Sequence, residues 1–200
     1  MHSQLTDELT NALKAVVADA KQRLAGQTIY SIAIYTSGEY SYVIDSVMTL
    51  EGLSDVAKDY LKDDRYKQEW GTLDTACAAL KWSAPDSPYH EAFAKHFDAA
   101  QQTLDAIWQQ KGESNDPYAI AHLYHIHEAI AAALRRLAAS NSASNDNVTY
   151  NILMGDQSDE ERLLNAENLN PEPIANALRR ELDIDSDSLA ELRRSRWKAD

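Results

Sequence analysis

Cysteine is nearly absent from this chain. Cys77 is the single one among 200 residues, so no internal disulfide can form and a disulfide-stapled scaffold is excluded. Basic residues are scarce as well: 19 lysines and arginines face 32 acids, a formal net charge of −13. An excess of this sign repels nucleic acid unless a strongly basic patch is set apart from it. The groups Arg135–Arg136, Arg179–Arg180 and Arg193, Arg194 and Arg196 are short and lie among acids, which argues against DNA or RNA as partners. No window approaches 18 uninterrupted apolar residues, so no membrane span is predicted. Asp7 and Glu8 precede any lysine or arginine, and no apolar run of the signal-peptide kind is present. The expected address is the cytoplasm. Phosphate-binding glycine loops, the dinucleotide fingerprint and the calcium-loop pattern are also missing, and no cofactor is expected.

What is present reads as a folded chain. The hydrophobic fraction of 44% is ordinary for a globular protein. Leu5, Leu9, Leu13, Val16, Val17, Ala20 and Leu24 recur at helical spacing and predict a helix over 6–25 that stops at Gly26. Residues 28–36 and 40–48 are rich in Ile, Val and Tyr and flank Ser37–Gly38–Glu39, which predicts a β-hairpin. In its first arm Tyr30, Ile32 and Ile34 share one face, and Ile29, Ala33 and Tyr35 the other. Both faces are largely apolar, as in a sheet covered by helices. Thr49 is placed to cap a helix running to Leu61, and 66–81 carries a weaker helical pattern.

Ser87–Pro88 and Asp116–Pro117 each have the cap-plus-proline form of a helix start. They predict two long helices, joined through 112–116, that pack as an antiparallel αα-hairpin. The polar stretch 140–147 predicts a mobile loop. Val148–Met154 predicts a last strand, followed by short helices over 173–182 and 188–197. From 144 to 191 there are twelve acids and three arginines. The expectation is one α+β domain over 1–200, a small and mainly antiparallel sheet packed by several helices, with an αα-hairpin inserted before the last strand and an acidic C-terminal region over 156–191.

Few constellations suggest chemistry, and no catalytic set is read from the residues. His122 and His125 lie three apart on one predicted helix and are candidate metal ligands, but a zinc site needs further ligands and no metalloprotease spacing is present. His127 leans toward the core, where a bond to a Tyr or a backbone carbonyl would satisfy it. Residues 81–90 are the densest mixture of aromatic, polar and rigid residues. Two prolines there hold Trp82, Asp86, Tyr89 and His90 in fixed relation, and Asp86 with His90 is the candidate acid–base pair. Asp156, Asp159, Glu160 and Glu161 follow the last strand. They are candidate binding acids, or else helix-start residues favoured by the helix dipole. Ten tyrosines and four tryptophans against two phenylalanines favour rings that keep a polar edge in use, as at protein interfaces.

The strand Tyr30–Thr36, the phrase Leu80–Lys81–Trp82–Ser83–Ala84–Pro85–Asp86–Ser87–Pro88–Tyr89 and the late strand ending in Gly155–Asp156 before Leu169–Asn170–Pro171 together resemble the bacterial family called domain of unknown function 4303. The shared positions would be Trp82, Ser83, Pro85, Asp86 and Asp156. The resemblance implies a neighbour of polymorphic toxins, an immunity protein, and supplies no catalytic residues. The expected function is that of a soluble protein neutralising a cognate basic toxin by steric and electrostatic complementarity. Trp82, Asp86, Tyr89, Asp156, Asp159, Glu160 and Glu161 would form its binding surface. The alternatives are a small hydrolase or metal-assisted enzyme using the His and Asp residues, and a non-catalytic protein that forms homo-oligomers.

Overall fold

The computed structural model describes residues 2–110, 118–141, 147–184 and 186–195. The first helix, α1 (His2–Arg23), buries Leu5, Leu9, Leu13, Val16 and Ala20 on one stripe. Gly26, at φ +90°, turns the chain out of it, a conformation that only glycine adopts freely. Two strands follow, β1 (Ile29–Tyr35) and β2 (Ile44–Thr49), paired antiparallel. The third, β3 (Thr149–Leu153), joins the other side of β1 in parallel, giving the order β2–β1–β3. The sheet is therefore small and mixed, and the architecture is the expected α+β one.

Besides the helix over Asp159–Leu169, which the sequence reading lacked, three details of the sheet and its edge differ from that reading. The second arm of the hairpin begins at Ile44, because Tyr40 takes φ +55° and breaks the extended run. The register of β1 against β2 slips between Ile29 and Ser31. This bulge exchanges the faces of the two residues before it: Ile29 packs with Ile32 and Ile34 in the main core, while Tyr30 turns to the opposite side. The third concerns Ser87–Pro88, which starts no helix. Ser87 Oγ donates to the Val47 carbonyl at 2.6 Å, an edge contact that overrides the local cap signal. The next regular helix, α5 (Asp98–Gln109), begins ten residues later, after a short 3₁₀ turn at Ala94–Phe97.

Helices cover both faces, as expected from two apolar sides. Against Ile32, Ile34, Val47 and Ile152 lie α1, α5 and α6 (Tyr118–Asn141), which contribute Leu13, Leu104, Ile126, Ile130 and Leu134, with Phe97 of the 3₁₀ turn beside them. The helices α5 and α6 meet where the Trp108 and His122 rings lie edge to face at 5.5 Å, and each also packs along α1. The opposite face, with Ala33, Met48 and Leu153, is closed by Ala84. Beside it Trp82 packs with α7 (Asp159–Leu169), α8 (Glu172–Leu182) and α9 (Ser186–Ser195) through Leu163, Leu164, Leu178 and Leu189. A third cluster joins α2 (Leu50–Tyr60) to α4 (Leu73–Leu80) around Ala57, Ala76 and Leu80, with α3 (Asp64–Trp70) on its outside.

Caps explain several boundaries. Thr49 accepts from the Gly52 amide and starts α2, as the sequence predicts. The weak pattern over 66–81 is two helices, because Gly71 at φ +69° ends α3 and Thr72 caps α4. Ser158 and Glu161 form a reciprocal capping box that starts α7. The candidate cap at Asp116–Pro117 and most of the polar stretch 140–147 fall outside the described residues.

Neither sheet edge is open to another strand. Tyr150 on β3 donates its amide to Asn170 Oδ1 at 2.8 Å and accepts from Asn170 Nδ2 at 2.7 Å. The Ile152 carbonyl accepts from Asn165 Nδ2 at 2.9 Å and from Gln157 Nε2 at 3.0 Å. Side-chain amides thus occupy the bonds that an added strand would make. The segment 87–93 runs along β2 on the other edge: Val47 donates to the Tyr89 carbonyl, Glu91 donates to the Asp45 carbonyl, and His90 bridges Ser46.

Candidate functional site

The 81–91 segment, the richest motif in the sequence, is first of all a sheet cover. Trp82 is nearly buried, and its indole Nε1 donates to Glu181 Oε1 at 2.9 Å. Tyr89 accepts from Gln27 Nε2 at 2.6 Å. Asp86 accepts from Tyr60 Oη at 2.6 Å and from Ser83 Oγ at 2.5 Å. The bond to the Asp86 carboxylate, with burial, pushes the Tyr60 hydroxyl up to about 12. His90 lies edge-on to Tyr35 with ring centroids 4.9 Å apart, and its Nε2 sits 3.8 Å from Glu91. Burial lowers its basicity, and its Nδ1 has no hydrogen-bond partner among the described residues. Asp86 and His90 are turned to different neighbours, and no hydrogen bond or ion pair joins them.

The histidines of α6 separate in the same way. His127 is buried and its Nδ1 lies 2.9 Å from Tyr40 Oη, the core role expected from its phase. His122 and His125 stand near His2, at ring-centroid distances of 5.8 and 5.3 Å. Among the described residues, no group of three His, Cys, Asp or Glu side chains is placed to hold a metal ion.

The acids after β3 are divided between surface and structure. Asp156 is exposed and Glu160 half-buried. Glu161 closes the capping box, and Asp159 pairs with Arg162. Further along, Glu167 holds both Arg179 and Arg193, and Glu181 holds Lys81. Three acids of the C-terminal region, Asp159, Glu167 and Glu181, are thus spent on arginines and a lysine of the fold, which weakens the field expected there.

A different surface gathers aromatic rings among exposed charges of both signs, with Asp59 paired to Lys62 and Asp63 capping α3. Tyr66 and Trp70 stack on α3 with centroids 4.9 Å apart and planes inclined by 30°. Tyr60 at the end of α2 meets them at 4.8 and 5.6 Å. All three rings are half-buried, and α3 has no buried residue. Asp59, Asp63, Asp64 and Glu69 stand exposed around them. The guanidinium of Arg65 lies over the Tyr66 ring at 4.2 Å, the geometry of a cation–π contact. A sequence signal for this plate existed: Tyr66 and Trp70 are four apart, on one face of a helix.

A further concavity lies elsewhere, at the N-terminal ends of β1 and β3. It is a cleft of about 710 Å³ floored by Val17, Leu24, Ile29, Ile32, Val148 and Tyr150. A smaller lobe of about 280 Å³ continues past Tyr30 and Lys81 toward α8. Across the Trp82 segment, a third cleft of about 350 Å³ has Ser83, Pro85, Gly155, Asp159 and Arg162 in its wall. Trp82 and Asp159 thus line one cleft, whereas Asp86 and Tyr89 are absent from its lining.

No described helix is long and apolar enough to cross a membrane. Comparison with curated proteins and with solved structures finds no match. A family model does match over residues 9–171, a span that holds the sheet, both of its edge covers and the α3 plate and that ends one residue after Asn170. The chain belongs to that family, DUF4303, a domain of unknown function.

Proposed function

We propose that this protein is a binding protein for a basic protein partner, an immunity protein that neutralises a toxin domain, and that it binds through the α2–α3 plate. The observation that carries this reading is the Tyr60–Tyr66–Trp70 cluster, which is half-exposed, set among charges of both signs and already occupied by one guanidinium. Aromatic rings at the centre of a patch supply contact area at low entropic cost. Asp64 and Glu69 beside them offer carboxylates to a basic partner, and such pairs raise the association rate more than the affinity. The closed sheet edges turn recognition away from strand addition and toward side chains. The surface first expected, around Trp82 and Tyr89, is engaged in internal bonds, so the binding role passes from it to α3.

The test is calorimetric titration with the protein encoded by the adjoining gene, at about 50 mM and about 200 mM salt, between which screening of exposed charges rises steeply. Saturable binding that weakens at the higher salt supports the proposal. Absence of binding, or an affinity indifferent to salt, overturns it.

A further inference from the structure

The 710 Å³ cleft is large enough for a small molecule, and its lining has an unusual charge for this protein. Lys21 of α1 and Lys81 after α4 are in its wall, and no acid is among the described residues that line it, in a chain where acids outnumber lysines and arginines 32 to 19. The polar side chains of the wall are largely committed to partners behind it, the Glu51 carboxylate among them. Gln27 bridges Tyr89 and Thr49, Thr28 is held by Glu51, and the Tyr30 hydroxyl donates to the Lys81 carbonyl. Lys81 is drawn to Glu181 in the adjoining lobe, at 2.7 Å. Lys21 is exposed at the rim. The floor is apolar, and Leu50, one of the two most exposed large hydrophobic residues described, stands at the margin with 46% of its surface open.

We infer that this cleft binds a small anion carrying an apolar chain, its head at Lys21 and its chain on the floor between α1 and the starts of β1 and β3. A preset apolar floor needs no reordering to receive the chain. A cation at the mouth selects the anionic head within an otherwise repelling surface. Carboxylate and phosphate heads share this chemistry.

The inference is tested on the full chain with octanoate, octyl phosphate and uncharged 1-octanol, followed by amide chemical shifts in two-dimensional NMR. The expected result is saturable shifts, below about 1 mM ligand, at residues 29–32 and 148–150. One or both anions should bind more tightly than the alcohol, and the better of the two identifies the head. Lys21→Glu should weaken the anion by about tenfold, the scale of one charge-assisted contact, and Leu50→Glu should weaken it as well. Lys21 also offsets the C-terminal carbonyls of α1, so thermal unfolding of Lys21→Glu separates a loss of binding from a loss of stability. No saturable shift, shifts centred elsewhere, equal binding of alcohol and anions, or affinity unchanged in both variants would overturn it.

Discussion

Asn170 faces Tyr150 so that its side-chain amide takes both backbone bonds of that residue, donor to acceptor and acceptor to donor, at 2.7 and 2.8 Å. One side chain there replaces a neighbouring strand. Removing it takes two hydrogen bonds from partly buried backbone groups, and losing the partner of such a group costs on the order of 1–3 kcal/mol. Asn170→Ala is expected to destabilise the fold by about 2 kcal/mol or more in urea unfolding, and to increase self-association through the bared edge. A change within about 0.5 kcal/mol, the range of ordinary surface substitutions, would show that the edge is sealed by other means.

Gly52 ties the start of α2 to the cover of the opposite edge. A Cβ there would lie 2.8 Å from Thr49 Oγ1 and 2.9 Å from the Pro88 ring. Alanine gains about 1 kcal/mol of helix propensity, but overpacking of a close contact costs about 1–3 kcal/mol, so the clash should win. Gly52→Ala is expected to lower the unfolding midpoint, and a stabilised variant would refute the tight contact.

Asp45 gives stability a pH dependence of defined sign. Its carboxylate accepts the Phe93 amide at 3.1 and 3.2 Å inside the protein, and burial pushes its pKa up to about 6. Because the folded value lies above the unfolded one, the native state holds the proton longer. The contribution is whole below about pH 4 and is lost as pH rises through 6, at most about 3 kcal/mol for a shift of this size. Asp45→Asn cannot lose a proton. Chemical unfolding of the pair should therefore show the variant gaining on the parent between pH 4 and 7. Parallel stability curves would refute the shift.

The Tyr60–Asp86 bond predicts a titration. With the carboxylate beside it, the Tyr60 hydroxyl ionises only near 12. Asp86→Asn removes the charge that opposes the phenolate, so one tyrosine should ionise at lower pH in ultraviolet absorbance. An unchanged curve would mean that Asp86 does not hold Tyr60 in solution.

These contacts also mark how far the amino-acid sequence could be read. Helical phase placed the α1 stripe, and it turned His127 inward to meet Tyr40, because burial follows local period. Thr49 capped α2 because its partner lies three residues away. What escaped depends on distant partners. Ser87–Pro88 is a sound helix start taken alone, yet Val47, forty residues earlier in the chain, claims the hydroxyl. The bulge that redirects Tyr30 exists only once β2 has paired. Asn151, Asn165 and Asn170 look like ordinary polar residues until β3 needs its edge filled. The capping box at Ser158 and Glu161, and the helix α7 that it starts, were not among the expected elements although the box is a local signal in its spacing. The plate at Tyr66 and Trp70 shows its helical spacing in the sequence, but its exposure depends on α3 lying outside the α2–α4 cluster.

The role of α3 is tested most directly by stopped-flow association of the adjoining gene's product with the parent chain, with Trp70→Ala and with Asp63→Lys/Asp64→Lys. Slower association in the charge-reversed variant and faster dissociation from Trp70→Ala are the predicted result, the first from lost steering and the second from a lost central contact. Rates unchanged in both variants, with binding abolished instead by Asp156→Lys/Glu160→Lys, would contradict the assignment to α3 and return the interface to the acids that follow β3.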